Sequence, residues 1–124
     1  MSDGFIFGDN GDVKDFITFL IRKLPPEIQA KVREECIIIT ISGSLDGFYI
    51  PSYMVNDRAV IVMDFLLYSS DPYRFIRTFY HEIAHHMLKH KVLFGVNQTL
   101  EIHQENEANR LVSDWLLRAE VKSI

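Results

Sequence analysis

The chain has 124 residues, of which 48% are hydrophobic and 24% are charged, and its formal net charge is −4 at pH 7. This composition predicts a single globular domain over residues 1–124 and excludes a disordered or fibrous chain. The acidic balance argues against a general phosphate-binding surface, so we expect no direct nucleic-acid partner.

Residues 1–10 are predicted to be a loosely structured N-terminal segment. A helix capped by Asp12 is predicted to follow and to end at Pro25-Pro26. Its apolar residues recur at three- and four-residue spacing. They are Val13, Phe16, Ile17, Leu20, Ile21 and Leu24. A shorter helix is predicted over 27–34. No basic apolar leader and no apolar run of membrane-spanning length occur, which predicts a cytoplasmic protein that does not contact a membrane.

A small sheet is predicted in the middle of the chain. Residues 36–41 form a β-branched run that is typical of a strand, and its Cys36, the only cysteine, is expected to be a buried thiol without a disulfide. Turn signals at 42–44 and 46–47 separate this run from short predicted strands at 48–50 and 59–63. The predicted fold class is therefore α+β.

The next predicted helix begins with Ser70 or Asp71 as its cap, has Pro72 in its first turn, and continues to about Lys91. One buried stripe runs along it. The stripe consists of Phe75, Ile76, Phe79, Ile83, Met87 and Leu88.

This helix carries the pattern His-Glu-x-x-His, with His81, Glu82 and His85. Residues four apart lie on one helix face, so both imidazoles can reach one metal ion while Glu82 points along their flank. The alternative is an ordinary histidine-rich helix face, formed by His81, His85, His86 and His90 without a metal. A third ligand decides between these interpretations, because zinc in hydrolases is usually held by three protein groups.

A second helix can supply that ligand. After turn-prone residues 94–97, the chain continues as a helix capped by Thr99, and a short link favours an antiparallel helix pair. Its predicted apolar face consists of Ala108, Leu111, Val112, Trp115 and Leu116. The pairing can bring Glu105 opposite the two histidines, and Asn109, one turn later, can hydrogen-bond a ligand side chain. Glu107 lies about 200° around the helix from Glu105, so Glu101 and Glu107 are expected on a solvated acidic face.

The two motifs together resemble the ImmA/IrrE family of zinc metallopeptidases, in which His-Glu-x-x-His precedes a Glu-x-Glu-Ala-Asn helix, here residues 105–109. HtpX-type proteases carry a similar segment in which the first glutamate is the ligand. The resemblance implies a zincin-like fold with gluzincin-style Zn²⁺ ligands His81, His85 and Glu105. It also implies cleavage of a cytosolic protein or peptide substrate such as a DNA-binding repressor, with strand 59–63 at the edge of the cleft.

Other zinc patterns fit less well. A metzincin requires a third histidine six residues after the second, where this chain has Lys91. A SprT-like site would use a later histidine, and His103 remains an alternative third ligand. Two imidazoles and one carboxylate suit zinc best, although manganese, iron or cobalt can occupy such a site.

The predicted mechanism assigns the role of catalytic base to Glu82, which takes a proton from water and later returns it to the leaving amine. The residue that stabilises the oxyanion is left open among Tyr53, Tyr80, His86 and His103. The alternative function is that of a metal-binding regulatory or interaction protein without proteolytic activity. The oligomeric state is also left open.

Overall fold

The structure is a computed structural model that describes residues 5–8, 10–41, 47–50, 58–88 and 98–119. They form an α+β fold, as predicted. Its elements are β1 (Ile6–Phe7), α1 (Gly11–Arg22), α2 (Pro26–Glu35), β2 (Cys36–Ile41), β3 (Gly47–Ile50), β4 (Ala59–Asp64), α3 (Phe65–Ser70), α4 (Pro72–Met87) and α5 (Gln98–Ala119). No helix in these ranges is both long enough and apolar enough to cross a membrane.

The described strands form one sheet in the order β1-β2-β4-β3. β1 and β4 both run parallel to β2, while β3 runs antiparallel to β4. The prediction that strand 59–63 lies at the cleft edge is therefore wrong, because β4 is paired on both sides. Among the described strands, β3 takes the edge position, because it runs antiparallel to β4 and pairs with it directly.

The start of the chain also differs from the prediction. β1 is a short strand within the supposed loose start, and its Ile6 is in register with Ile38 of β2. Helix α1 is capped by Asn10 instead of Asp12, because the Asn10 side chain accepts a hydrogen bond from the Val13 amide at 3.1 Å. Asp12 lies in the first turn, where its charge is favourable to the helix dipole.

Helix α4 begins as predicted, with Asp71 as its cap. The Asp71 carboxylate accepts a hydrogen bond from the Arg74 amide at 3.2 Å, and Pro72 occupies the first helical position. The helix ends at Met87, earlier than Lys91, and residues 89–97 lie outside the described part of the chain. The short helix α3, capped by Asp64 through the Leu66 amide at 3.0 Å, was not predicted.

Helix α4 packs between the sheet and α5. The predicted stripe of α4 is buried at Phe75, Ile76, Phe79 and Ile83, whereas Leu88 is 36% exposed. Ala108, Val112, Trp115 and Leu116 of α5 are buried as predicted. Tyr80 packs edge-on against Trp115 at 5.9 Å between ring centroids, and this packing sets α5 beside the histidine-bearing helix.

One glycine in the β1–α1 connection is required by its surroundings. Gly8 has a φ of +148°, and a Cβ at this position would collide with the Thr40 hydroxyl and lie 3.1 Å from the Thr40 carbonyl oxygen. At Gly11, by contrast, an added Cβ meets no atom within 4 Å.

We expect Gly8→Ala to lower the free energy of unfolding by about 1–3 kcal/mol through backbone strain. The clash with Thr40 should add to this loss. Gly11→Ala is the matched control and should be neutral or raise stability by about 0.4–1 kcal/mol. Urea denaturation followed by circular dichroism measures both values. Equal effects of the two substitutions would contradict this account.

Candidate metal centre

Two imidazoles face each other on α4. His81 and His85 are one turn apart, with ring centroids 4.5 Å apart and planes at 87°. Their Nε2 atoms are 3.0 Å apart. The side chains are 20% and 12% exposed, so the pair lies at the rim of the core beside Ile83 and Ala84.

Glu105 of α5 completes the group. Its Oε1 lies 2.8 Å from His81 Nε2, and its Oε2 lies 2.9 Å from His85 Nε2. One ligand atom from each of the three side chains lies within 4.8 Å of the other two. The structure therefore brings together the three residues that the sequence predicted as ligands, and the arrangement is compatible with a metal ion.

The protonation of this group is compatible with a shared cation. Each imidazole Nε2 has one position in the ring plane, which holds either a hydrogen or a lone pair. If His81 and His85 both donate to the Glu105 carboxylate, two N–H donors face each other across 3.0 Å. A cation bound by all three groups would remove this conflict, because every contacting atom would then offer a lone pair, and a neutral Glu105 that donates to one imidazole would remove it as well.

The distances within the group also suit a small divalent ion. Two ligand atoms bound to tetrahedral zinc at about 2.0–2.1 Å are separated by roughly 3.3 Å. The two imidazole Nε2 atoms are 3.0 Å apart, a few tenths of an ångström shorter, and they contact different oxygens of Glu105 at 2.8 and 2.9 Å. The two imidazoles would need only a small outward movement to hold such an ion.

Glu82 lies outside the ligand group but close to it. The residue is only 8% exposed on the otherwise apolar inner side of α4. Burial, and to a smaller extent the charge of Glu105, raise the pKa of the Glu82 carboxyl from 4.5 to about 8. A cation between the ligands would favour the ionised form and oppose this shift.

Three of the four candidate oxyanion residues are described, and each is engaged elsewhere. The Tyr80 hydroxyl donates to the Leu20 carbonyl at 2.7 Å, and burial raises the pKa of Tyr80 above its usual value. His86 Nε2 lies 2.8 Å from Glu35 Oε1, which ties α4 to the end of α2. His103, the third, lies near Glu107. Tyr53 lies outside the described residues.

His103 and Glu107 occupy a different face of α5 from Glu105. His103 is 67% exposed and lies 3.7 Å from Glu107, one turn away. His103 is also absent from the group formed by His81, His85 and Glu105. The described geometry therefore favours Glu105 over His103 as the third ligand. The side chain of Glu101 and the whole of His90 lie outside the described residues.

A small cavity adjoins His81 on the side of Asn109. Its volume is about 250 Å³, and its lining residues are Arg74, Arg77, Thr78, His81, Asn109 and Val112. Asn109 therefore lies beside His81, as expected for two helices that pack together. The two arginines were not predicted as part of the site. Their spacing was a usable signal, since residues 74, 77, 78 and 81 share one face of a helix.

Comparisons with protein-family models, with curated proteins and with solved structures found no match to this chain. The functional assignment therefore depends on the geometry of the site and on the sequence motifs.

Proposed function

We propose that this protein is a zinc-dependent metallopeptidase that hydrolyses peptide bonds of a protein substrate. The observation that carries the proposal is the buried carboxyl of Glu82 beside the converging His81, His85 and Glu105 side chains. A purely structural metal site has no need of an additional carboxyl that lies next to the ligands but does not itself bind the metal.

In the proposed centre, His81 and His85 of α4 and Glu105 of α5 hold Zn²⁺. When bound, zinc supplies a Lewis acid that polarises a carbonyl and lowers the pKa of water. The protein's own contribution is to hold the three donors on two packed helices, so that little reorganisation is required when the metal binds.

Glu82 is the proposed general base. It accepts a proton from the attacking water and then donates that proton to the leaving amine. Its position one residue after His81 turns its side chain away from the ligand face, which prevents it from becoming a fourth ligand. Its burial holds the carboxyl in one place and strengthens its electrostatic interactions with charges at the site.

The proposed fold family is zincin-like, with substrate added along β3. This strand lies at the sheet edge among the described strands and packs against α4. An extended peptide can pair with such an edge through main-chain hydrogen bonds. The resemblance to ImmA/IrrE proteins suggests that the substrate is a cytoplasmic regulatory protein such as a DNA-binding repressor.

The second candidate is a metal-binding regulatory or interaction protein without proteolytic activity. The observation that favours it is that Tyr80, His86 and His103 each contact another residue, so none is poised to stabilise an oxyanion. Under this alternative the metal holds α4 and α5 together for binding to a partner.

We expect the purified protein to carry about one equivalent of zinc, because one set of three ligands forms one site. Elemental mass spectrometry measures the metal content. New N-termini are then compared between cells that express the wild type and cells that express Glu82→Gln. Termini that depend on Glu82 support the peptidase. Bound zinc without any such termini supports the second candidate instead.

A further inference from the structure

The small cavity beside His81 has a cationic wall. Arg74 and Arg77 of α4 and Asn109 of α5 are among its lining residues, and Arg74 has a further interaction partner of its own. None of its described lining residues is acidic. This cluster differs from the rest of a chain whose net charge is −4.

The cavity shares His81 with the candidate metal centre. His81 is both a member of the metal-ligand group and a lining residue. A group bound in the cavity would therefore lie next to the centre at which the scissile bond is proposed to bind. At about 250 Å³, the cavity is smaller than typical ligand clefts of 300–1,000 Å³, so it suits a single side chain.

Arg77 is positioned to act as a donor. Its guanidinium lies over the Tyr73 ring, 6.0 Å from the ring centroid. This is a cation–π contact, and a guanidinium also carries N–H groups that can donate two parallel hydrogen bonds. A carboxylate is the group that matches this donor geometry.

The polar wall continues along α5. Asn109 also lines a second, more open cavity of about 480 Å³, together with Asn106, Arg110 and Ser113. Side-chain amides such as these offer a donor and an acceptor together, which matches the pairing needs of a peptide backbone.

We infer that the cavity formed by Arg74, Arg77 and Asn109 is a subsite for a carboxylate of the peptide substrate, an inference that rests on the proposed peptidase function. The carboxylate comes from an aspartate or glutamate side chain near the scissile bond or from the substrate's C-terminus. Both present the same two oxygens to Arg77.

The test measures binding without cleavage. Three fluorescein-labelled hexapeptide pools are titrated against zinc-loaded Glu82→Gln protein by fluorescence anisotropy. One pool has a fixed glutamate and an amidated C-terminus, the second replaces that glutamate with glutamine, and the third has glutamine with a free C-terminal carboxylate. Chelator-treated wild-type protein, which cannot cleave by the proposed mechanism, provides a second measurement.

One of the two carboxylate pools should bind about fivefold more tightly than the glutamine amide pool, and the gain should shrink at high salt. The pool that gains identifies the source of the carboxylate. Arg77→Gln should remove the difference. Arg22→Gln is the matched control, because Arg22 is an exposed arginine of α1 that does not line the cavity, and it should preserve the difference.

Equal binding of the three pools would overturn the inference, as would a preference that survives Arg77→Gln. Failure of the proposed function looks different, since the wild type would then cleave no pool and no protein while the Arg77-dependent preference persisted. That result would keep the carboxylate site as part of a binding protein.

Discussion

Replacing Glu82 with glutamine is expected to lower peptide cleavage by about 10²- to 10⁴-fold and to leave zinc content unchanged. Glutamine has nearly the same shape as glutamate but cannot accept and return a proton at neutral pH. The metal should remain, because Glu82 lies outside the group formed by His81, His85 and Glu105. Steady-state rates on a cleaved peptide and elemental mass spectrometry measure the two effects.

The matched control is Glu107→Gln, which makes the same chemical change at a half-exposed site on α5. It should leave the cleavage rate unchanged. Thermal melting gives an additional check, since an uncharged side chain removes the cost of burying the Glu82 carboxyl and should not lower stability. Cleavage at the wild-type rate by Glu82→Gln protein would reject the mechanism.

Replacing Glu105 with glutamine is expected to weaken zinc binding by more than about 100-fold, because loss of an outer-shell partner alone costs up to that amount. Its carboxylate contacts both imidazoles, at 2.8 and 2.9 Å, and no other described carboxylate, imidazole or thiol belongs to this group. Competition with a chromogenic chelator measures the affinity. Metal-dependent stabilisation should be lost in parallel, since in the wild type zinc at 100 times its Kd should stabilise the fold by about 2.7 kcal/mol.

Glu107→Gln again serves as the control, because Glu107 faces His103 on another side of the same helix. It should bind zinc like the wild type. If Glu105→Gln retains wild-type affinity while His103→Gln loses it, the third ligand is His103 and the proposed centre is wrong.

The helices α1, α2, α4 and α5 could be predicted because their signals are local. The Asp71-Pro72 start of α4 and the buried residues Phe75, Phe79 and Ile83 follow from capping and from a repeat of about 3.6 residues. The same regularity places His81 and His85 on one face without any knowledge of the rest of the molecule.

The errors in the sheet concern contacts between distant segments. β1 is too short to show a repeat, and it exists only because Ile6 and Phe7 pair with residues more than thirty positions later. The position of residues 59–63 at the edge of the cleft was implied by the family resemblance, and the pattern of a single strand does not reveal its neighbours. The pairing of β3 with β4 decides this order.

The sequence by itself determined which side chains are available for a metal and which of them share a helix face, because covalent spacing and helix geometry suffice for that. Only the tertiary structure decided that Glu105, and not His103, meets the imidazole pair. It also decided that Arg74 and Arg77 share a cavity with Asn109. The physical reason is that the packing of α4 against α5, anchored by apolar residues such as Tyr80 and Trp115, sets the rotation and offset of the two helices.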